Sequence, residues 1–163
     1  MELYLMQHGT ALSKELDEER PLSPVGRDQL EKSAEAVKKL GIGLDLIVAS
    51  PALRSLQTAQ IVAAQVGYPE SAIRQINAVK PMGRPEEVVE FLHEHENRRS
   101  VLIAGHLPSL EKIAALLISH RGEAALAFQN GGLACIEIEE FTRPIAKLLW
   151  HLTPLHLQII ATA

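Results

Sequence analysis

His8 and His106 each stand at the end of an apolar run, Leu3-Tyr4-Leu5-Met6-Gln7-His8-Gly9 and Val101-Leu102-Ile103-Ala104-Gly105-His106. A third run, Leu46-Ile47-Val48-Ala49, leads into Ser50-Pro51-Ala52-Leu53-Arg54. Neutral imidazole carries a free lone pair near physiological pH and can attack phosphorus directly. A guanidinium holds two phosphate oxygens in a planar fork. Two histidines and an arginine brought together would therefore serve a transferable phosphoryl group. His8 would attack, Arg54 would hold oxygens, and His106 would donate a hydrogen bond to charge developing in the transition state. Taken singly, each residue has an ordinary reading: a strand-end histidine bonded to backbone, or a surface arginine in an ion pair. The chemistry depends on convergence.

Convergence is a matter of fold. Near-continuous apolar runs are the mark of strands buried on both faces, and open α/β sheets bind ligands at the carboxyl ends of such strands. Strands are expected at 2–7, 44–49, 100–105, 132–139 and 146–152, with a weaker one near 73–79. The last two strong ones read as a paired edge connected through Thr142 and Pro144. Ser23 caps and Pro24 opens a helix that runs to about Leu40 and stops at Gly41. Ser50 and Pro51 repeat that arrangement for a helix ending at Gly67, with Arg54 about one turn in. Pro85 opens a third helix with Val88, Val89, Phe91 and Leu92 on its apolar side. A fourth begins near Pro108 or Ser109 and carries Leu110, Ile113, Ala114 and Leu117 at helical spacing. The alternation predicts an α/β fold, a three-layer α/β/α sandwich on a mostly parallel central sheet. The segment 155–160 fits either a last strand or a short docked helix.

Composition narrows the classes. A chain of 163 residues is expected to form one domain, 1–163, with a substantial core. A formal net charge of −4 gives no bulk attraction to nucleic acid or to an anionic membrane, so neither is an expected partner. Phosphate affinity must come from local groups. Cys135 is the one cysteine, which excludes a disulfide framework and reads as a core residue. The first apolar stretch is short and lacks a basic region before it, and no run approaches the roughly 20 apolar residues of a membrane span. A cytoplasmic location is the expectation. His93 and His95 lie two apart and do not share a helix face, and His120, His151 and His156 show no ligand spacing. No metal and no cofactor is expected. The oligomeric state is not legible.

With these residues in view, the chain resembles the histidine phosphatase superfamily, the phosphoglycerate-mutase-like proteins, and within it the small SixA-like phosphohistidine phosphatases. The matching residues are His8-Gly9, Arg20-Pro21-Leu22-Ser23 with Gly26, the block Ser50 to Ala59, Gly105-His106-Leu107-Pro108, and Gly131-Gly132-Leu133-Ala134. The resemblance spans nearly the whole chain, and the block around Arg54 is its most specific part. It implies the phosphoglycerate-mutase-like fold, phosphorylation of His8 during turnover, and a phosphate pocket lined by Arg54 and His106.

Gln7 departs from the pattern, which reads Arg-His-Gly at this point. Glutamine offers neutral hydrogen bonds, roughly half as strong as charge-assisted ones. Gln7, Gly9 and Arg20 are the expected substrate-binding residues; Gly9 would let the backbone turn sharply or approach a ligand closely. Arg20 ranks first and Arg84 second as cations that could stand in at the pocket. No residue has a clear claim to be a general acid. Asp17, Glu18 and Glu19 read as a solvated loop, and Glu86 and Glu87 as a helix first turn, where negative charge is favourable. A phosphohistidine substrate needs such an acid least, because its P–N bond is labile. The expected function is thus a metal-independent phosphohistidine phosphatase-like hydrolase, acting on a protein histidine through phospho-His8. Two alternatives stand beside it. One is a weakly active or non-catalytic phosphohistidine binder, suggested by Gln7. The other is a small-molecule phosphomonoesterase with a working acid among Asp17, Glu18, Glu86 or Glu87. The partner is accordingly a phosphorylated protein or a small phosphorylated substrate.

Overall fold

The computed structural model describes residues 1–119, 124–141 and 145–163. Eleven elements follow in chain order: β1 Glu2–Gln7, α1 Pro24–Lys39, β2 Leu46–Ala49, α2 Leu53–Val66, β3 Arg74–Gln75, α3 Pro85–Glu94, β4 Ser100–Gly105, α4 Ser109–Ile118, β5 Leu133–Glu140, β6 Ile145–Leu152 and α5 Pro154–Thr162. The strands form one sheet in the order β3-β2-β4-β1-β5-β6. The first four are mutually parallel, and β5 runs antiparallel to both β1 and β6. The expected α/β architecture on a mostly parallel sheet is the observed one.

Strand side chains alternate between faces, and each face has its own helices. Leu3, Leu5, Val48, Val101 and Ile103 pack with Val88 and Leu92 of α3 and Ile113 and Leu117 of α4. Tyr4, Met6, Ile47, Leu102 and Ala104 pack with Leu30 and Val37 of α1, Val62 of α2 and Leu157 of α5. This two-sided burial is why β1, β2 and β4 read as unbroken apolar runs. Each fully buried Leu, Ile or Val stabilises the fold by roughly 1.5–3 kcal/mol.

The topology places β4 between β2 and β1, so the carboxyl ends of all three lie side by side. Ladder contacts continue past the strand ends: His8 N donates to Gly105 O at 3.1 Å, and Ser50 N to Ala104 O at 3.1 Å. The residues following three sequence-distant strands are thus held at one edge.

Local signals explain most boundaries. Ser23 Oγ accepts from Gly26 N at 3.0 Å and Pro24 sits in the first helical turn, as a capped start requires. Gly41 and Gly67 close α1 and α2 with φ of 70° and 74°. Three expectations need correction. Strand β2 begins at Leu46 rather than 44. The weak strand near 73–79 contracts to β3, Arg74–Gln75, between short 3-10 turns at Glu70–Ala72 and Asn77–Val79. Ser50 does not cap α2: it stays bonded to the sheet, and the helix starts at Leu53 with Ala52 as its cap residue. Arg54 therefore lies in the first turn itself. The ambiguous tail is helix α5, started by Thr153 Oγ1 accepting from His156 N while His156 Nδ1 accepts from Thr153 N. The connection through Thr142 and Pro144 lies outside the described residues, as does His120.

Candidate active site

His8, Arg54 and His106 meet at the shared edge. The Arg54 guanidinium bridges the two imidazoles, with Nε 3.2 Å from His8 Nε2 and Nη2 3.4 Å from His106 Nδ1. The rings stand edge to face, their centroids 4.8 Å apart.

These contacts assign the ring protons. The Gly9 carbonyl can only accept, so His8 Nδ1, 2.7 Å away, carries the hydrogen and Nε2 carries the lone pair. Arg54 can only donate, so His106 Nδ1 accepts and the neutral ring holds its hydrogen on Nε2. That Nε2 is buried and has no partner among the described residues. An unpaired buried donor is costly; an acceptor arriving in the pocket would relieve it.

The electrostatics keep both rings neutral. Burial lowers the His8 pKa from its usual value; the Gly9 carbonyl opposes this, and the charges of Arg54 and Arg20 add to it. His106 is pushed down to about 3, first by burial, then by His8, Arg54 and Arg20. Arg54 is itself lowered by burial and by Arg20. The cluster is therefore cationic and short of anions, in a chain of net charge −4. An incoming phosphoryl group would supply the missing charge.

Arg20 joins this field from the segment between β1 and α1, a hairpin closed by Ala11 opposite Leu22 and by Leu12 N donating to Pro21 O at 2.8 Å. It is the one non-glycine residue with positive φ among those described, at 52°. Such backbone costs roughly 1–2 kcal/mol in an L-residue and is a marker of functional positions. Its Nε donates to Leu12 O at 3.3 Å. Arg84 instead faces Glu86 and Glu87 at 3.9 and 3.7 Å, so its charge is engaged within its own helix start.

Gln7 is 9% exposed, and its Oε1 is buried without a partner among the described residues. Turning the amide would exchange that acceptor for donors at the same point. Gly9 has a packing reason beside the expected turn or close approach to a ligand. A Cβ there would come within 2.7 Å of Leu30 Cδ2, and its N–H donates to Thr58 Oγ1 at 3.2 Å.

Three supporting residues escaped the sequence reading. Thr58 Oγ1 donates to Arg54 O at 2.8 Å while accepting from Gly9 N, and so ties the helix start to the loop after β1. Asn130 Nδ2 donates to His8 O at 2.9 Å, and Gly131 N to Gln7 O at 2.9 Å. Both Thr58 and Gly131 lie in the family-like blocks, but no spacing rule assigned them a role. Among the described residues, no carboxylate bonds to His8, Arg54 or His106 in this arrangement. A groove of about 1210 Å³ lies elsewhere, at the opposite end of the sheet beside Met1, Tyr4, Asp45 and Trp150.

Comparisons with known proteins bear on the family and the fold. Residues 3–77 match the model of the histidine phosphatase superfamily (branch 1). Phosphohistidine phosphatase SixA of Escherichia coli (strain K12) is 28% identical over 98% of both chains. An uncharacterized protein of Picosynechococcus sp. is 31% identical over 68% of each. The solved structure of protein histidine phosphatase SixA complexed with tungstate superposes with a TM-score of 0.86 at 28% identity, covering 96% of this chain and 99% of the other. By sequence, by fold and by its strand-end histidines, the chain belongs to the histidine phosphatase superfamily.

Proposed function

We propose that this protein is a phosphohistidine phosphatase that passes the phosphoryl group through His8. The observation carrying this reading is the Arg54 guanidinium bridging His8 Nε2 and His106 Nδ1, while Gly9 O holds the His8 hydrogen on the far nitrogen. The nucleophilic lone pair and the phosphate fork thus share one point. Similarity to SixA along the whole chain supports the substrate class.

In the first step His8 Nε2 attacks phosphorus in line, forming one P–N bond as the bond to the substrate imidazole breaks. The leaving imidazole takes a proton from water. Arg54 exchanges its contact with His8 for two phosphoryl oxygens, and His106 Nε2–H donates to a third. In the second step water attacks phospho-His8, the P–N bond breaks, and inorganic phosphate leaves with His8 neutral again. Arg20 adds positive potential, and Gln7 supplies a neutral contact where the family pattern has arginine. Loss of one pre-organised donor costs about 10²–10³ in rate, so turnover is slow relative to an arginine-bearing pocket.

The test compares a histidine-phosphorylated carrier protein with sugar phosphates under single-turnover conditions. Phosphate release from the carrier, abolished by His8→Ala, is expected. Efficient sugar-phosphate hydrolysis with an inert carrier would establish the phosphomonoesterase reading, and tight carrier binding without release would establish a phosphohistidine binder.

A further inference from the structure

The His8 ring keeps its proton on Nδ1 through one contact, the 2.7 Å bond to Gly9 O. That acceptor belongs to a glycine. Packing requires the glycine, since a Cβ at position 9 would meet Leu30 Cδ2 at 2.7 Å, yet glycine is the residue with the most backbone freedom. Which imidazole nitrogen carries the hydrogen is set by the bond the ring makes. The direction of the Gly9 carbonyl therefore matters, and residue 9 does not fix it alone.

The neighbouring backbone groups show where the constraint comes from. His8 N–H is taken up by Gly105 O of β4 at 3.1 Å. The peptide joining His8 to Gly9 is then held at both ends. Its carbonyl, His8 O, accepts from Asn130 Nδ2 at 2.9 Å, and its N–H, on Gly9, donates to Thr58 Oγ1 at 3.2 Å. Chemistry forces both assignments. A carbonyl only accepts, which orients the Asn130 amide. The Thr58 hydroxyl gives its own hydrogen to Arg54 O at 2.8 Å and offers a lone pair to Gly9.

Asn130 reaches His8 from the β5 side of β1. The ladder between these strands ends at Met6 opposite Leu133. Past it, Gly131 N donates to Gln7 O at 2.9 Å, and the Asn130 side chain carries the pairing one residue further, to His8 O. Gly131 makes this turn with φ of 77°, and a Cβ there would meet Leu30 Cδ2 at 3.1 Å. The dipeptide Asn130-Gly131 thus places the amide.

We infer that Asn130 is a positioning residue for the nucleophile: together with Thr58 it clamps the His8–Gly9 peptide, so that Gly9 O holds the His8 proton on Nδ1 and leaves the lone pair on Nε2. Without the clamp the carbonyl swings away and the proton exchanges to Nε2. The ring then sets an N–H against the Arg54 N–H and has no lone pair for phosphorus on that side. The inference rests on His8 being the nucleophile and adds what keeps it in its reactive tautomer.

The test reads the tautomer directly, without substrate. Two-bond 1H–15N correlation spectra at neutral pH, with the His8 signals assigned by their loss in His8→Ala, are compared between wild type and Asn130→Ala. Single-turnover hydrolysis of phosphoramidate, a small P–N compound, is measured alongside. Wild type is expected to hold His8 in the Nδ1–H form. Asn130→Ala is expected to mix in the Nε2–H form and to lower the saturating rate about 10- to 100-fold, the scale of a small misplacement of reacting groups, at an unchanged half-saturating concentration. Thr58→Val removes the other end of the clamp and should shift the tautomer the same way. A wild-type His8 protonated on Nε2, or an unchanged tautomer in both variants, would overturn the inference. So would a slowed Asn130→Ala whose His8 tautomer is intact, which would reduce Asn130 to a structural contact. If wild type is inert toward phosphoramidate and the phosphorylated carrier while the tautomer still shifts in the variants, the clamp stands and the phosphatase reading falls.

Discussion

Restoring arginine at position 7 sets two effects against each other, and the structure gives the sign of both. Gln7 is 9% exposed and lies next to His8 on the strand that ends at the pocket. Gln7→Arg adds a charged fork where a neutral amide now stands. A pre-organised donor directed at a transition-state oxyanion contributes about 2.7–4 kcal/mol, equivalent to 10²–10³ in rate. The same cation also enters a field already made by Arg54 and Arg20, which lowers the Arg54 and His106 pKa values. Like charges about 4 Å apart at a protein-like effective dielectric repel by roughly 4 kcal/mol, and side-chain relaxation and solvent leave a fraction of that. We expect the free variant to lose about 1–3 kcal/mol of stability. For a domain of this size that lowers Tm by roughly 2–4 °C per kcal/mol. Phosphate at 100 times its Kd returns about 2.7 kcal/mol by mass action. The assay is therefore a single-turnover rate on phosphoramidate alongside thermal melts with and without phosphate. A rate gain of about 100-fold, with a lowered Tm that phosphate restores, is the expected outcome. A Gln7→Arg protein no faster than wild type would refute the reasoning, because position 7 would then not face the transferring group.

Further predictions follow from the same contacts. Arg54→Lys keeps the charge but loses the planar fork that reaches both histidines, so the single-turnover rate should fall about 10²-fold or more with the fold intact by circular dichroism. Thr58→Ala removes the acceptor for Gly9 N–H and the donor to Arg54 O; unfolding titrations should show a loss of about 1–3 kcal/mol, together with a lower saturating rate. The His106 pKa is about 3 in the folded protein and about 6.5 when unfolded. Between those values the unfolded chain binds a proton that the folded one does not, so stability is full above pH 6.5 and falls as pH drops toward 3. Melts across that window should show the slope, and His106→Gln should flatten it. Because His8 is also lowered, the acid limb of kcat/KM should have its midpoint below 6.5.

What could be read from the sequence follows from how each feature is encoded. Strands β1 and β4 were legible because burial on both faces leaves a continuous apolar string, and α1 because Ser23, Pro24 and Gly41 are local boundary signals. Strand β3 was not, since two exposed residues, Arg74 and Gln75, have no periodicity to show. Helix α5 was ambiguous because its start depends on His156 acting as a capping partner in place of Glu or Gln. His8, Arg54 and His106 could be proposed together because each follows a strand. Thr58 and Asn130 could not, as their bonds to Gly9 and His8 span 49 and 122 residues. Arg20 lay between these cases: its position was suggested by the family-like Arg20-Pro21-Leu22-Ser23, but its reach toward the pocket depends on a left-handed backbone that arginine does not signal.

The most direct measurement is a rapid-quench reaction with the phosphorylated carrier, digested at alkaline pH and read by mass spectrometry for phosphate on the peptide containing His8. Acid-labile phosphate that appears on His8 before free phosphate, and decays as free phosphate rises, is the predicted result. Free phosphate released at the same rate with no phosphate ever on His8 would contradict the covalent route.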